Sequence, residues 1–309
     1  MRYGVPYRGS KNTIAEWVVS NLPPSETLVD LFAGGCAVTH AAMMSGKFDR
    51  FVANDLTDAP QVFVDAINGE FDGHATVPTR EEFLASDDYA LRLMYSFGNN
   101  CKDYLWSKEL EPIKVNATKM VLAPSVHERK QAYNKFMRLL GEYVRDGSTS
   151  DSSGHYSELL RLQGFERLER LRNLQGLQSL QRSQDLQRLQ GLQSNLTTSC
   201  LDYRSVCIPK GATVYADPLY RNTNCEGYFD DNGFDFEKFD TWLSIVPFMV
   251  VVSEYTAPRD CVEVARKEKR VNMAANGKAS NRIERLFVHQ NFADEYRKRM
   301  GHVEVEDES

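Results

Sequence analysis

One stretch constrains the fold more than any other. Thr27-Leu28-Val29-Asp30-Leu31-Phe32 is an apolar run that breaks at Ala33-Gly34-Gly35-Cys36 and restarts as Ala37-Val38, ahead of Ala41 and Ala42. A buried strand, a glycine turn and a helix of small residues form the opening of a strand–helix–strand unit. Glycine there permits a tight turn and a close backbone approach to a ligand, with a helix N-terminus behind it. Roughly twenty residues later, Phe51-Val52-Ala53-Asn54-Asp55 reads as a second strand that ends in a carboxylate. An acid at that spacing suits the hydroxyls of a ribose. The spacing G-x-G-x-x-G is missing, which disfavours a nicotinamide cofactor and points to a nucleoside-bearing ligand with no pyrophosphate.

A second apolar run, Ala212-Thr213-Val214-Tyr215-Ala216, leads directly into Asp217-Pro218-Leu219-Tyr220. Open α/β sheets place their ligands at the C-terminal mouths of parallel strands. At such a mouth, the Asp217 carboxylate and the Pro218 carbonyl can each accept a hydrogen bond from a planar amine. Tyr220 can stack on its ring. Two further segments read as core: an amphipathic helix over Phe234 to Ile245, and a buried strand over Phe248 to Ser253 that runs into Glu254-Tyr255. From Arg259 to Gly301 the chain carries eleven Lys or Arg against six Asp or Glu, as in Arg266-Lys267-Glu268-Lys269-Arg270. Asn276-Gly277 is a turn signal between Val271-Met273 and Ile283-His289, which predicts a terminal antiparallel hairpin.

The N-terminal Tyr7-Arg8-Gly9-Ser10-Lys11 precedes a helical stretch with Ile14, Trp17 and Val18 on one face. By itself it reads as a turn, a Ser10 cap and a solvated lysine. Between Leu56 and Ser199 the strand–glycine–helix grammar stops. Mixed helical segments display aromatic and basic residues (Tyr95, Phe97, Lys102, Tyr104, Trp106, Lys108), followed by a helix with Arg129, Lys130, Lys135 and Arg138. Asp146 to Gly154 is a polar link by composition. From Leu162 to Leu192 an apolar residue, usually Leu followed by Gln, recurs at every third position except Ser183. Three-residue steps fall short of a helical turn, so the stripe wraps around any helix and matches neither a heptad seam nor a strand.

Composition sets the outer limits. The 309 residues are 42% hydrophobic and 26% charged, with net charge −6, so no global basic field advertises a polyanionic partner. The six cysteines form no C-x-x-C pair and the six histidines are scattered, which argues against a zinc site or a disulfide frame. No apolar run is long enough to span a bilayer and no signal peptide is seen, so a cytoplasmic protein is expected.

The order of these motifs resembles the Dam-type N6-adenine DNA methyltransferases of bacteria and phages. It is closest to a prophage-like subset that carries the stretch Ser96-Phe97-Gly98-Asn99-Asn100. The resemblance covers the chain apart from the Leu-Gln repeat and the acidic tail. It implies an α/β, Rossmann-like sheet dependent on S-adenosylmethionine, with a terminal antiparallel hairpin and a mainly helical inserted domain. The domains would run 1–56 for the first catalytic part and 57–199 for a target-recognition insertion that includes the repeat at 160–195. The second catalytic part would be 200–301, and the tail 302–309. Tyr7, Lys11, Asp30, Phe32, Gly34, Gly35, Asp55, Asp202, Tyr203 and Asp217 would line the cofactor site. Asp217, Pro218 and Tyr220 would hold the target adenine.

No metal is implied. Double-stranded DNA is the implied partner of a monomer or weak dimer, with a cognate restriction nuclease left open. Two residues depart from the family pattern: Cys36 replaces a glycine, and Leu219 replaces the second proline of the tetrapeptide. Two other readings remain. One is an N4-cytosine methyltransferase, although a serine usually stands at the position of Asp217 there. The other is a catalytically silent DNA-binding protein on the same fold.

Overall fold

The computed structural model describes residues 3–70, 76–145, 189, 191, 193–221, 234–271 and 280–301. Nearly all of the Leu-Gln repeat lies outside them, as do the Asp146–Gly154 link, the Asn276-Gly277 turn and the acidic tail. The described residues fall into two compact units. One is drawn from Met1–Val5, Gly9–Phe63 and Gly191–Ser309, the other from Pro6–Arg8 and Val64–Gln190.

The first unit is built on a sheet of order β3-β2-β1-β4-β5-β7-β6. Its strands are β1 (Thr27–Asp30), β2 (Arg50–Asp55), β3 (Leu196–Cys200), β4 (Thr213–Ala216), β5 (Val250–Glu254), β6 (Cys261–Val271) and β7 (Ser280–His289). The first five run parallel. β7 is antiparallel to both β5 and β6. Every residue of β1, β4 and β5 is buried, as expected of strands covered on both faces, and this is why they read as unbroken apolar runs. One face buries Val29, Val214, Val250 and Val252 against Phe239 and Leu243 of a helix over Phe236–Ile245. The helices α1 (Ala15–Ser20) and α2 (Ala37–Ser45) pack on one another. With all five strands parallel, Asp30, Asp55, Asp217 and Glu254 emerge at the same rim. The strand order reverses at the β1–β4 neighbours, the place where such sheets bind ligands.

β3 differs from the sequence reading, which ended the helical insertion at Ser199. Leu-Thr-Thr-Ser-Cys has no apolar alternation because the strand lies at the sheet edge, where its side chains meet solvent. Its place is set instead by Asn54 of β2, which is 1% exposed. The Asn54 amide donates to the carbonyls of Leu31 (3.1 Å) and Leu201 (2.9 Å), and its oxygen accepts from Ser199 Oγ (2.7 Å) and Leu201 N (3.1 Å). Asn54→Ala leaves these groups unsatisfied, and we expect it to cost about 2–4 kcal/mol of unfolding free energy in a denaturant titration.

β6 also begins ten residues before the arm expected from the turn signal, at Cys261. A ladder that runs from Cys261↔His289 to Val271↔Ser280 recruits the basic segment as strand, with a bulge between Glu263 and Ala265.

The second unit is helical. Thr79 and Glu82 form a capping box for Arg80–Ala85, and Asp88 caps Tyr89–Met94. Val77, Phe83, Tyr95, Tyr104 and Val115 form one apolar cluster. In another, Ile113 and Ala117 of the helix Glu111–Leu122 pack on Phe136 and Leu140 of the helix Val126–Arg145. Among the described residues no helix is long and apolar enough to cross a membrane.

Candidate active site

The tetrapeptide begins one residue after β4. Burial of Ala216 and Pro218 pins the chain on either side of Asp217, whose side chain is 15% exposed at the rim. Lys11 Nζ lies 2.8 Å from Asp217 Oδ1 and 3.8 Å from Glu284 Oε1. The lysine is 7% exposed, so the solvated reading of it fails. Burial alone would lower its pKa, but Asp217 and Glu284 outweigh that and hold the ammonium above its ordinary value. Nor does Ser10 cap α1. Its hydroxyl accepts from Asn12 N within the turn, and Ile14 occupies the cap position.

Tyr220 is buried with its hydroxyl donating to Glu284. The Lys11 ammonium stands 4.4 Å from its ring centroid, and the Tyr255 ring meets it edge-to-face at 4.5 Å. Beyond it, the Arg221 N–H donates to Glu254 Oε1 at 2.6 Å, while its guanidinium pairs with Asp240. Beneath the rim, the buried hydroxyls of Tyr215 and Ser253 share a hydrogen bond of 2.8 Å, which ties β4 to β5.

The glycine loop lies at the ends of β1 and β2. Gly34 and Cys36 both adopt positive φ, 47° and 60°, so Cys36 takes a left-handed position that a glycine would fill without strain. It serves as the N-terminal cap residue of α2. The Ala33 N–H bonds Asn54 O at 2.8 Å, and the Gly34 N–H bonds Asp55 Oδ2 at 2.9 Å. Asp55 Oδ1 accepts from the Thr57 amide (3.0 Å) and hydroxyl (2.7 Å). Burial nonetheless raises its pKa.

Asp30 is 1% exposed. Its Oδ2 accepts from Thr39 Oγ1 at 2.8 Å, while Oδ1 is buried with no full hydrogen bond, a weak pull from the Phe32 N–H aside. Burial is the main reason its pKa rises to about 7, and the charges of Asp217 and Asp55 add to it. An unfolded aspartate titrates near about 3.9. Between these values the folded chain keeps a proton that the unfolded chain gives up, so stability falls as pH rises through this window. Asp30→Asn abolishes that loss. Thermal melts from pH 4 to 8 are expected to show the variant gaining on the wild type up to about pH 7 and then holding level.

Phe32 packs on Tyr203 at 5.3 Å between centroids, and Tyr203 also meets Phe239 and Trp242. Asp202 turns outward to the Arg204 guanidinium (2.7 Å) and backbone N–H (2.9 Å). Tyr7 groups with the helical unit. Lys11, Asp217 and Tyr220 thus form one cluster, and Asp30, Gly34 and Asp55 border the loop beside it. Glu284 and Asn54 had no role in the sequence reading. Glu284 stands between Ile283 and Arg285, in a stretch that reads as the polar face of a strand.

Residues 7–150 match the model of the D12 class N6 adenine-specific DNA methyltransferases. The match supports a Dam-type adenine methyltransferase. Proteins of that family are adenine-specific DNA methyltransferases, so the match points to the same activity on DNA. The match takes in the glycine loop, Asp55 and much of the helical unit, and stops before Asp217. No curated protein matches the chain.

Proposed function

We propose that this protein moves a methyl group from S-adenosylmethionine to N6 of an adenine turned out of duplex DNA at a specific sequence. The observation that carries this reading is the Lys11–Asp217–Tyr220 cluster at the mouth of β4. The adenine amino group is a poor nucleophile because its lone pair is delocalised into the ring. Hydrogen bonds from it to Asp217 and to the Pro218 carbonyl favour a pyramidal nitrogen with its lone pair free to attack. Positioning and electrostatics then supply the acceleration, with no covalent intermediate on the chain. Turning the base out of the stack costs a few kcal/mol. Tyr220, already braced by Lys11, Glu284 and Tyr255, is a rigid wall for that base rather than a swinging side chain.

The residues present fit the cofactor. It supplies a methyl group activated on a cationic sulfonium. The unsatisfied Asp30 Oδ1 suits a buried ammonium, and Asp55 suits hydroxyl donors. Phe32, Gly34 and Gly35 would lie under the methionine part, and Asp202 and Tyr203 near the adenine. The helical unit would read the DNA sequence.

The test is transfer of labelled methyl from S-adenosylmethionine to unmethylated duplex DNA of mixed sequence, with the product nucleosides resolved. N6-methyladenine is the expected product. N4-methylcytosine would move the chain to the cytosine-modifying class. Cofactor binding with no label in DNA would make it a silent binder, with Leu219 the first residue to restore to proline.

A further inference from the structure

We propose that Glu284 is a positioning residue for methyl transfer. From β7 it holds the Lys11 ammonium and the Tyr220 hydroxyl in the places they take around Asp217. This rests on the reading of Asp217 as the grip on the target amine.

Glu284 is 1% exposed. A carboxylate removed from water costs several kcal/mol unless charge and hydrogen bonds compensate it. Part of the compensation comes from two residues of the candidate site, which are distant in sequence from β7 and from one another. The Tyr220 hydroxyl donates to Glu284 Oε1, and Lys11 Nζ lies 3.8 Å from the same oxygen. Lys11 therefore stands between two carboxylates, closer to Asp217 at 2.8 Å. An ammonium shared in this way neutralises Asp217 less completely than one committed to it alone. Asp217 keeps acceptor strength for an incoming amine. The tyrosine hydroxyl, in turn, is committed as a donor to Glu284, which fixes the ring under the ammonium and against Tyr255. Glu284 touches neither base nor cofactor in this scheme and acts through Lys11 and Tyr220.

The test uses the full chain with Glu284→Gln, which keeps the volume and the acceptor for Tyr220 but removes the charge facing Lys11. Glu284→Asp keeps the charge. We expect Glu284→Gln to lower kcat by about 10- to 100-fold, less than loss of a direct contact. The cofactor dissociation constant should stay within about twofold. Glu284→Asp should recover kcat to within about tenfold of wild type. In a Lys11→Met background the same Glu284→Gln change should cost less than about threefold, because the cation it positions is gone.

The proposal is overturned by a Glu284→Gln enzyme within twofold of wild type. It is equally overturned by an undiminished fall in the Lys11→Met background, which would mark Glu284 as structural only. A wild-type chain that methylates no adenine would sink the functional reading instead. Non-additive Tm shifts of Lys11→Met and Glu284→Gln would then still decide the contact.

Discussion

Asp217→Ala is expected to reduce kcat for adenine methylation by at least about a hundredfold to a thousandfold, the range for removal of one preorganised polar contact at a reacting centre. Asp217 is the charged acceptor at the mouth of β4, and the Pro218 carbonyl alone cannot hold both hydrogens of an amine. The substitution also leaves Lys11 buried with Glu284 at 3.8 Å as the nearer remaining carboxylate, so the ammonium should shift away from the β4 rim. Asp30 and the glycine loop are untouched, and the dissociation constant for S-adenosylmethionine should stay within about threefold of wild type. Asp217→Asn keeps the shape and one acceptor, and should retain more turnover than the alanine variant. Single-turnover methylation and equilibrium dialysis separate the two effects. Turnover within tenfold of wild type in Asp217→Ala would remove this residue from the chemistry.

A large effect on both stability and cofactor affinity is expected from Gly4→Ala. Gly4 has φ +69°, and a Cβ there would stand 2.1 Å from Gly35 O, 2.8 Å from Ala37 N and 3.0 Å from Ala37 Cα. All three are backbone atoms, so no side chain can swing aside. The segment is latched at the same place, with Gly4 N donating to His40 Nδ1 (3.0 Å) and Val5 N to Gly35 O (2.8 Å). Insertion of a methyl must break the latch or displace the loop that carries the Gly34–Asp55 hydrogen bond. Strain and lost hydrogen bonds together amount to about 2–4 kcal/mol, a fall in Tm of roughly 5–10 °C. Cofactor affinity should drop about tenfold or more with it, because the loop is the cofactor's cradle in the proposed reading. An unchanged Tm and an unchanged dissociation constant would show that the N-terminal segment does not support the loop.

Some of this protein could be read from residues alone. β1, β2, β4 and β5 announce themselves because strands covered on both faces must be apolar, and the turns after them because glycine and proline leave few other conformations. The carboxylates that end those strands could be named for the same reason, each following an apolar run directly. Asp217 and Asp55 were legible as charges at strand ends before any coordinate was known. What distance in the fold decided is of another kind. Thr197-Thr198-Ser199 carries no strand pattern because an edge strand faces water, and it joins the sheet through Asn54. Lys11 looks like a solvated lysine and Glu284 like the polar face of a strand until they meet at Asp217 and Tyr220. An apolar pattern records only how much water a position sees. Which charge compensates which is set by the sheet order that brings β4 and β7 to either side of β5 and carries the N-terminal turn to the same rim, and no local pattern encodes it.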